Sequence, residues 1–219
     1  MRLLMRFLKG PEVRYISHLD MQRLFQRALR RAGLPVGYSQ GFHPHMLLSF
    51  ASAMPLGLCS RGEYAEIQLE QETAPETAME RMNAVLLPGV RILACRRMEE
   101  AEPAVGGRIA RAEYTLYPEA ETDVGQILAD FAAREEIILS KKTKKGMADI
   151  NVRPMIHALF EQQGRIQATL SCSNSETLRA DKLAELLQEE AGIPIGQIWR
   201  EKIWIAVEGH LEEPLEIEE

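Results

Sequence analysis

Segments of strand-like and helix-like periodicity follow one another in the order strand, helix, strand, strand, helix, strand, and the same order then runs a second time, more weakly. In the first pass, residues 2–9 alternate as a strand. A helix starts at Ser17, which is placed to act as N-cap, with Asp20 three residues on as a capping-box variant. Met21, Leu24, Phe25, Ala28, Leu29 and Ala32 then form a single apolar stripe, and Gly33 supplies the left-handed residue that ends the helix. A strand is expected near Met46 to Ala51, inside a stretch rich in Gly and Pro. Glu63 to Glu70 alternates as a half-buried strand. Thr73 and Glu76 have capping-box spacing ahead of a helix bearing Met79, Met82, Val85 and Leu86, and Val90 to Met98 closes the first pass. The acidic segment 99–107, with Pro103 and Gly106-Gly107, reads as a linker.

The second pass has a strand at Arg111 to Tyr117 and a helix marked by Val124, Ile127, Leu128 and Phe131. A hairpin turns at Gln163-Gly164. A helix through Leu183, Leu186 and Leu187 is closed by Gly192, and a last strand covers Ile198 to Val207. The acidic tail, 208–219, is expected to fray. In each pass two amphipathic helices can cover one face of a four-stranded antiparallel sheet, leaving the other face open unless the two sheets pack together. The pattern predicts an α+β chain of two tandem ferredoxin-like halves, residues 1–105 and 106–219.

Charge is distributed unevenly. The first 60 residues hold eight Arg and Lys against Glu12 and Asp20 only; the whole chain is at −6, so the remainder carries −12. This predicts one electropositive face on an acidic protein. Arg23, Arg27, Arg30 and Arg31 share the side of the helix opposite the apolar stripe, and guanidinium forks on a rigid helix suit phosphate recognition. The next segment, Tyr38-Ser39-Gln40-Gly41-Phe42-His43-Pro44-His45, pairs stacking aromatics with a glycine that lets a ligand approach the backbone. In the second half, Lys141, Lys142, Lys144 and Lys145 make a basic loop, followed by Arg153. All of these residues are candidates for binding RNA or another anion. The competing reading makes them a solvated helix face, an ordered loop and a solubilising loop.

No catalytic constellation, cofactor motif or metal spacing stands out. His-x-His at His43 and His45 is a weak metal spacing with no Cys or acid beside it, and even with His18 no metal is expected. Cys59, Cys95 and Cys172 are sparse and unpaired in spacing, as in a reducing compartment. No apolar run is long enough to span a membrane, and Arg2, Arg6 and Lys9 interrupt the apolar N-terminus, which argues against a signal peptide. A cytoplasmic location is expected.

Several stretches together resemble a known bacterial family: Tyr15-Ile16-Ser17-His18-Leu19-Asp20, Ala28 to Pro35, Tyr38-Ser39-Gln40-Gly41-Phe42, Ser49-Phe50-Ala51 and Pro55-Leu56-Gly57. The family is the radical-SAM-linked domain of unknown function, found alone or behind a radical-SAM module. Asp149-Ile150-Asn151-Val152-Arg153-Pro154 resembles its D-I-R-P stretch, with irregular spacing. The resemblance implies a radical-SAM partner and, through RNA-related gene context, work on tRNA or rRNA; it brings no catalytic residues. The chain has no C-x-x-x-C-x-x-C and so cannot hold the usual radical-SAM cluster itself. The expected function is a non-catalytic RNA-binding partner. The alternatives are a docking module for a radical-SAM enzyme without RNA contact, or a metal-independent endoribonuclease using one of the histidines.

Overall fold

The computed structural model describes residues 1–119, 124–143 and 146–215. The chain divides into two compact units, one formed by Met1–Ile109 with Lys202–Glu219, the other by Ala110–Glu201.

Unit 1 contains β1 (Arg2–Lys9), α1 (His18–Arg31), β2 (Leu48–Phe50), β3 (Cys59–Gln68), α2 (Pro75–Asn83) and β4 (Val90–Met98). β1 lies between β3 and β4, antiparallel to both, with Met5 opposite Ala65 on one side and Cys95 on the other. β2 adds to the far edge of β3, with Ser49 opposite Glu66. The strand order β4-β1-β3-β2 is that of a ferredoxin-like sheet. Alternation puts Leu3, Met5 and Phe7 of β1 with Ala65 and Ile67 of β3 on the helix side, where Leu24, Phe25, Leu29 and Met82 complete the core. Phe25 packs against Phe7 and Phe50 at ring-centroid distances of 4.8 and 5.0 Å.

α2 begins at Pro75, with Ala74 at the N-cap and no side-chain cap, and not at the expected Thr73. Proline lacks an N–H and carries a preset φ, so it fits the first turn and would break the interior; its position fixes where the helix can start.

Unit 2 contains β5 (Ile109–Pro118), α3 (Gly125–Ala132), β6 (Ile138–Thr143), β7 (Gly146–Asn151), β8 (Ile156–Gln162), β9 (Arg165–Ser171) and α4 (Ala180–Ala191). β10 (Ile195–Val207) has its residues through Glu201 in unit 2 and the rest in unit 1. The order β10-β5-β9-β8 repeats the ferredoxin-like arrangement. Gly192 caps α4 at φ +68°, the left-handed conformation expected there. Lys141 and Lys142, expected in a lysine-rich loop, lie in β6, which pairs antiparallel with β7 between α3 and β8.

The tail is ordered further than expected. β11 (His210–Glu212) pairs with β10, and residues 213–215 lie on the face of the unit 1 sheet opposite the helices. The expected linker is tied to the same face, where the Val105 N–H donates to Glu66 Oε1 at 2.7 Å. That face is therefore closed, not open. Cys59, Cys95 and Cys172 form no disulfide with one another, and burial pushes the Cys95 thiol up to about 12. Among the described residues no helix is long and apolar enough to cross a membrane.

Candidate nucleic-acid interface

α1 is fixed at both ends. Ser17 Oγ accepts from the Asp20 N–H at 3.1 Å and its hydroxyl donates to the Asp20 carboxylate at 2.8 Å, so the cap is reciprocal, but side chain to side chain. That bond, with the Arg23 contact behind it, holds the Asp20 carboxyl below its ordinary range. At the other end the Leu34 N–H donates to Leu29 O at 3.2 Å and the Gly33 N–H to Arg30 O at 3.1 Å, with Gly33 at φ +63°. This is a Schellman closure, with Leu34 and Leu29 both buried beneath it.

With the apolar stripe against the sheet, Arg23, Arg27, Arg30 and Arg31 are exposed. Arg23 is paired with Asp20 at 2.9 Å. Arg27, Arg30 and Arg31 make no ion pair among the described residues. Arg30 and Arg31 occupy the last turn, where a cation also favours the helix dipole.

The chain leaves α1 along the edge of β3, where the Gly37 N–H donates to Gln68 O at 2.8 Å. Tyr38 and Met46 then bridge and close the loop between them. Inside it the His45 N–H donates to Ser39 Oγ at 3.0 Å, and the same hydroxyl shares a hydrogen bond of 2.7 Å with His45 Nδ1. The His45 ring is thereby oriented with Nε2 outward. Gln40, Gly41, Phe42 and His43 form an exposed tip, with Gly41 at φ +127°, a value that disfavours any side chain. Phe42 is 102% exposed and Tyr38 40%. A phenylalanine with no packing partner on a loop closed by hydrogen bonds can stack on a base or enter a partner's pocket.

His18 stays apart from this loop's chemistry. Its ring meets Phe50 edge-on at 5.6 Å and lines a cavity of about 20 Å³ with Lys9, Ser17, Ser52 and Glu63. That is the room of about one water. Among the described residues no three His, Cys, Asp or Glu side chains converge to hold a metal ion.

The second-half candidates belong to unit 2. Lys141 and Lys142 lie in β6, and Lys144 and Lys145 lie outside the described residues. Arg153 Nη1 donates to Ile156 O at 3.0 Å, and Asn151 Oδ1 accepts from the Ile137 and Arg153 N–H groups at 3.1 and 3.0 Å. Asn151 and Arg153 thus help to fasten the base of the hairpin.

Sequence reasoning missed the charged layer on the closed face of unit 1. Arg96 grips Glu102 with both ends of its fork, at 2.8 and 2.7 Å, and Arg108 adds a third contact at 3.2 Å. The Arg96 hydrogen bonds, reinforced by its charge, hold the Glu102 carboxyl down to about 2 from 4.5, against the opposing effect of burial. A depressed carboxyl stabilises the fold above its unfolded pKa. Unit 1 should therefore lose stability as pH falls from about 4.5 toward 2. Glu102→Gln should remove that portion of the acid sensitivity in a pH series of thermal melts; an unchanged acid limb would show that the Arg96–Glu102 pair is not its source.

A family model described as an uncharacterized protein conserved in bacteria (DUF2344) matches residues 2–180. The chain belongs to this DUF2344 family. No curated protein matches. Among solved structures, this DUF2344 chain is similar to an unknown protein from Galdieria sulphuraria, at 15% identity over 91% of this chain and 97% of that one, with a TM-score of 0.29. It is also similar to the first two RRM domains of the yeast poly(U)-binding protein Pub1, at 10% identity over 91% and 98% of the two chains, with a TM-score of 0.26.

Proposed function

We propose that this DUF2344 protein is a non-catalytic binder of single-stranded RNA that serves a radical-SAM protein in tRNA or rRNA modification or processing. The observation that carries the RNA reading is the exposed row Arg27, Arg30 and Arg31 on α1, with no carboxylate paired to it among the described residues. The loop that follows it in the chain adds an aromatic tip at Phe42. Phosphates bound by the arginine forks and a base stacked on Phe42 would divide the work between charge and stacking. The radical-SAM partner is supported by the sequence resemblance alone.

Each phosphate contact lowers log affinity by about 0.7 per unit of log salt for a single strand, so three arginines predict a slope of about −2. Retention of a mixed-sequence single-stranded oligoribonucleotide, titrated with salt, tests this; no retention even at low salt would end the RNA reading. Phe42→Ala should weaken binding by about 1–3 kcal/mol if a base stacks there. Its melting temperature should stay put, because the ring packs against nothing.

The same exposed Phe42 favours a second reading, a docking module that anchors a radical-SAM enzyme without touching RNA. Phe42→Ala would then abolish partner capture and leave RNA out of account. The endoribonuclease reading has the least support: the cavity beside His18 has room for one water and not for a phosphodiester.

A further inference from the structure

The face of the unit 1 sheet opposite the helices holds a segment of the chain's own C-terminus, and holds it residue by residue. The Glu213 carboxylate receives Arg6 Nη1 at 2.7 Å and Lys202 Nζ at 2.5 Å, and both Arg6 and Glu213 side chains are 7% exposed. The Pro214 carbonyl accepts from Arg96 Nε and Nη2 at 3.1 and 3.0 Å. The Leu215 carbonyl accepts from Arg6 Nη1 at 3.2 Å and from the Tyr64 hydroxyl at 3.4 Å. Four side chains on strands thus read one carboxylate and the next two backbone carbonyls.

We propose that this face is a peptide-recognition groove that takes an extended acidic segment of a partner protein, with Glu213-Pro214-Leu215 as the occupant the partner displaces. None of these contacts depends on the covalent link between the segment and β11, and all of them can be made by any extended peptide with a carboxylate at the first position.

Charge selects the replacement. Among the described residues, the groups in ion pairs on this face are Arg2, Arg6, Arg96, Arg108 and Lys202 against Glu66, Glu102 and Glu213, with Glu212 also acting on Arg96, so the departure of Glu213 leaves a surplus of positive charge. Taking the Glu213 carboxylate from buried Arg6 removes a charge-assisted bond, so the opened groove favours another acid in its place. Four of the contacts end on peptide carbonyls, which favours a polypeptide over a nucleic acid. The groove is built from residues separate from the α1 arginines, so either reading can fail alone.

The test uses the full chain, wild type and Glu213→Gln, with a fluorescent peptide of residues 208–219. Saturable binding to both is expected, and tighter to the Glu213→Gln chain, whose own tail competes less well. Replacing Glu213 by Gln in the peptide removes a charge-assisted bond and should weaken binding about tenfold or more. Arg27→Glu/Arg31→Glu in the protein should change nothing. No binding to either chain, binding indifferent to that glutamate, or displacement of the peptide by an oligouridylate would each overturn the proposal. If Glu213→Gln does not fold, hydrogen exchange on the wild type decides. The Glu213 and Leu215 amides should exchange by local opening, far faster than the β1–β3 core; exchange at the global unfolding rate would overturn the proposal, because the groove would then open only when the fold is lost.

Discussion

A chain carrying Arg6→Ala should lose about 3–5 kcal/mol of unit 1 stability, the usual result of breaking a buried ion pair by removing one partner. Arg6 is 5% exposed although it stands on a strand. Its Nε donates to Arg61 O at 2.9 Å and its Nη1 serves both Glu213 and Leu215 O. Removing the guanidinium leaves the almost buried Glu213 with Lys202, whose side chain is 42% exposed, as its remaining ion pair among the described residues. It also strips two carbonyls of a donor. The control is Arg91→Ala on β4, an exposed arginine whose loss should stay within about 0.5 kcal/mol. Urea unfolding followed by tryptophan fluorescence separates the two. An Arg6→Ala midpoint equal to that of Arg91→Ala would show that the covered face adds nothing to the fold.

Legibility in the sequence followed the range of the interactions. α1 could be read almost to the residue because its signals are local: an apolar period, Ser17 with Asp20 at one end and Gly33 at the other. The double strand–helix order was legible for the same reason, and the strands of each pass stand in the ferredoxin-like order, β4-β1-β3-β2 and β10-β5-β9-β8. What failed was set by distant partners. Arg6 and Arg96 alternate with apolar residues, and alternation alone cannot distinguish a face turned to water from a face covered by a returning segment. The only hint was complementary charge between basic strands and an acidic tail, which fixes no geometry. The β6–β7 hairpin hid behind its lysines, since the bond from Ser140 Oγ to Asp149 Oδ1 at 2.6 Å joins residues nine apart. The capping-box spacing of Thr73 and Glu76 does not set the start of α2, because Pro75 fits only the first turn and fixes it. For the candidate site, the exposure of the α1 arginines was predictable from the stripe opposite them. The closed hydrogen-bonded form of the Tyr38–Met46 loop, and the full exposure of Phe42 at its tip, were not.

The most direct test of the RNA reading is a salt titration of oligoribonucleotide binding by wild type and by Arg27→Glu/Arg31→Glu. Both side chains are exposed, so the variant should keep its fold within about 1 kcal/mol, most of that from reversing a charge that favours the helix dipole at Arg31. Two phosphate contacts become two repulsions. Affinity at low salt should fall by about a hundredfold or more, and the slope of log affinity against log salt should flatten by about 1.4, which is 0.7 for each lost contact. A thermal melt run beside the titration separates lost binding from lost fold. Strong binding with a slope of about −2 by wild type, and weak binding with a slope of about −0.7 by a folded variant, is the predicted result. Equal affinity and equal slope in the two proteins would contradict the account, because the arginine face of α1 would then make no contact with RNA.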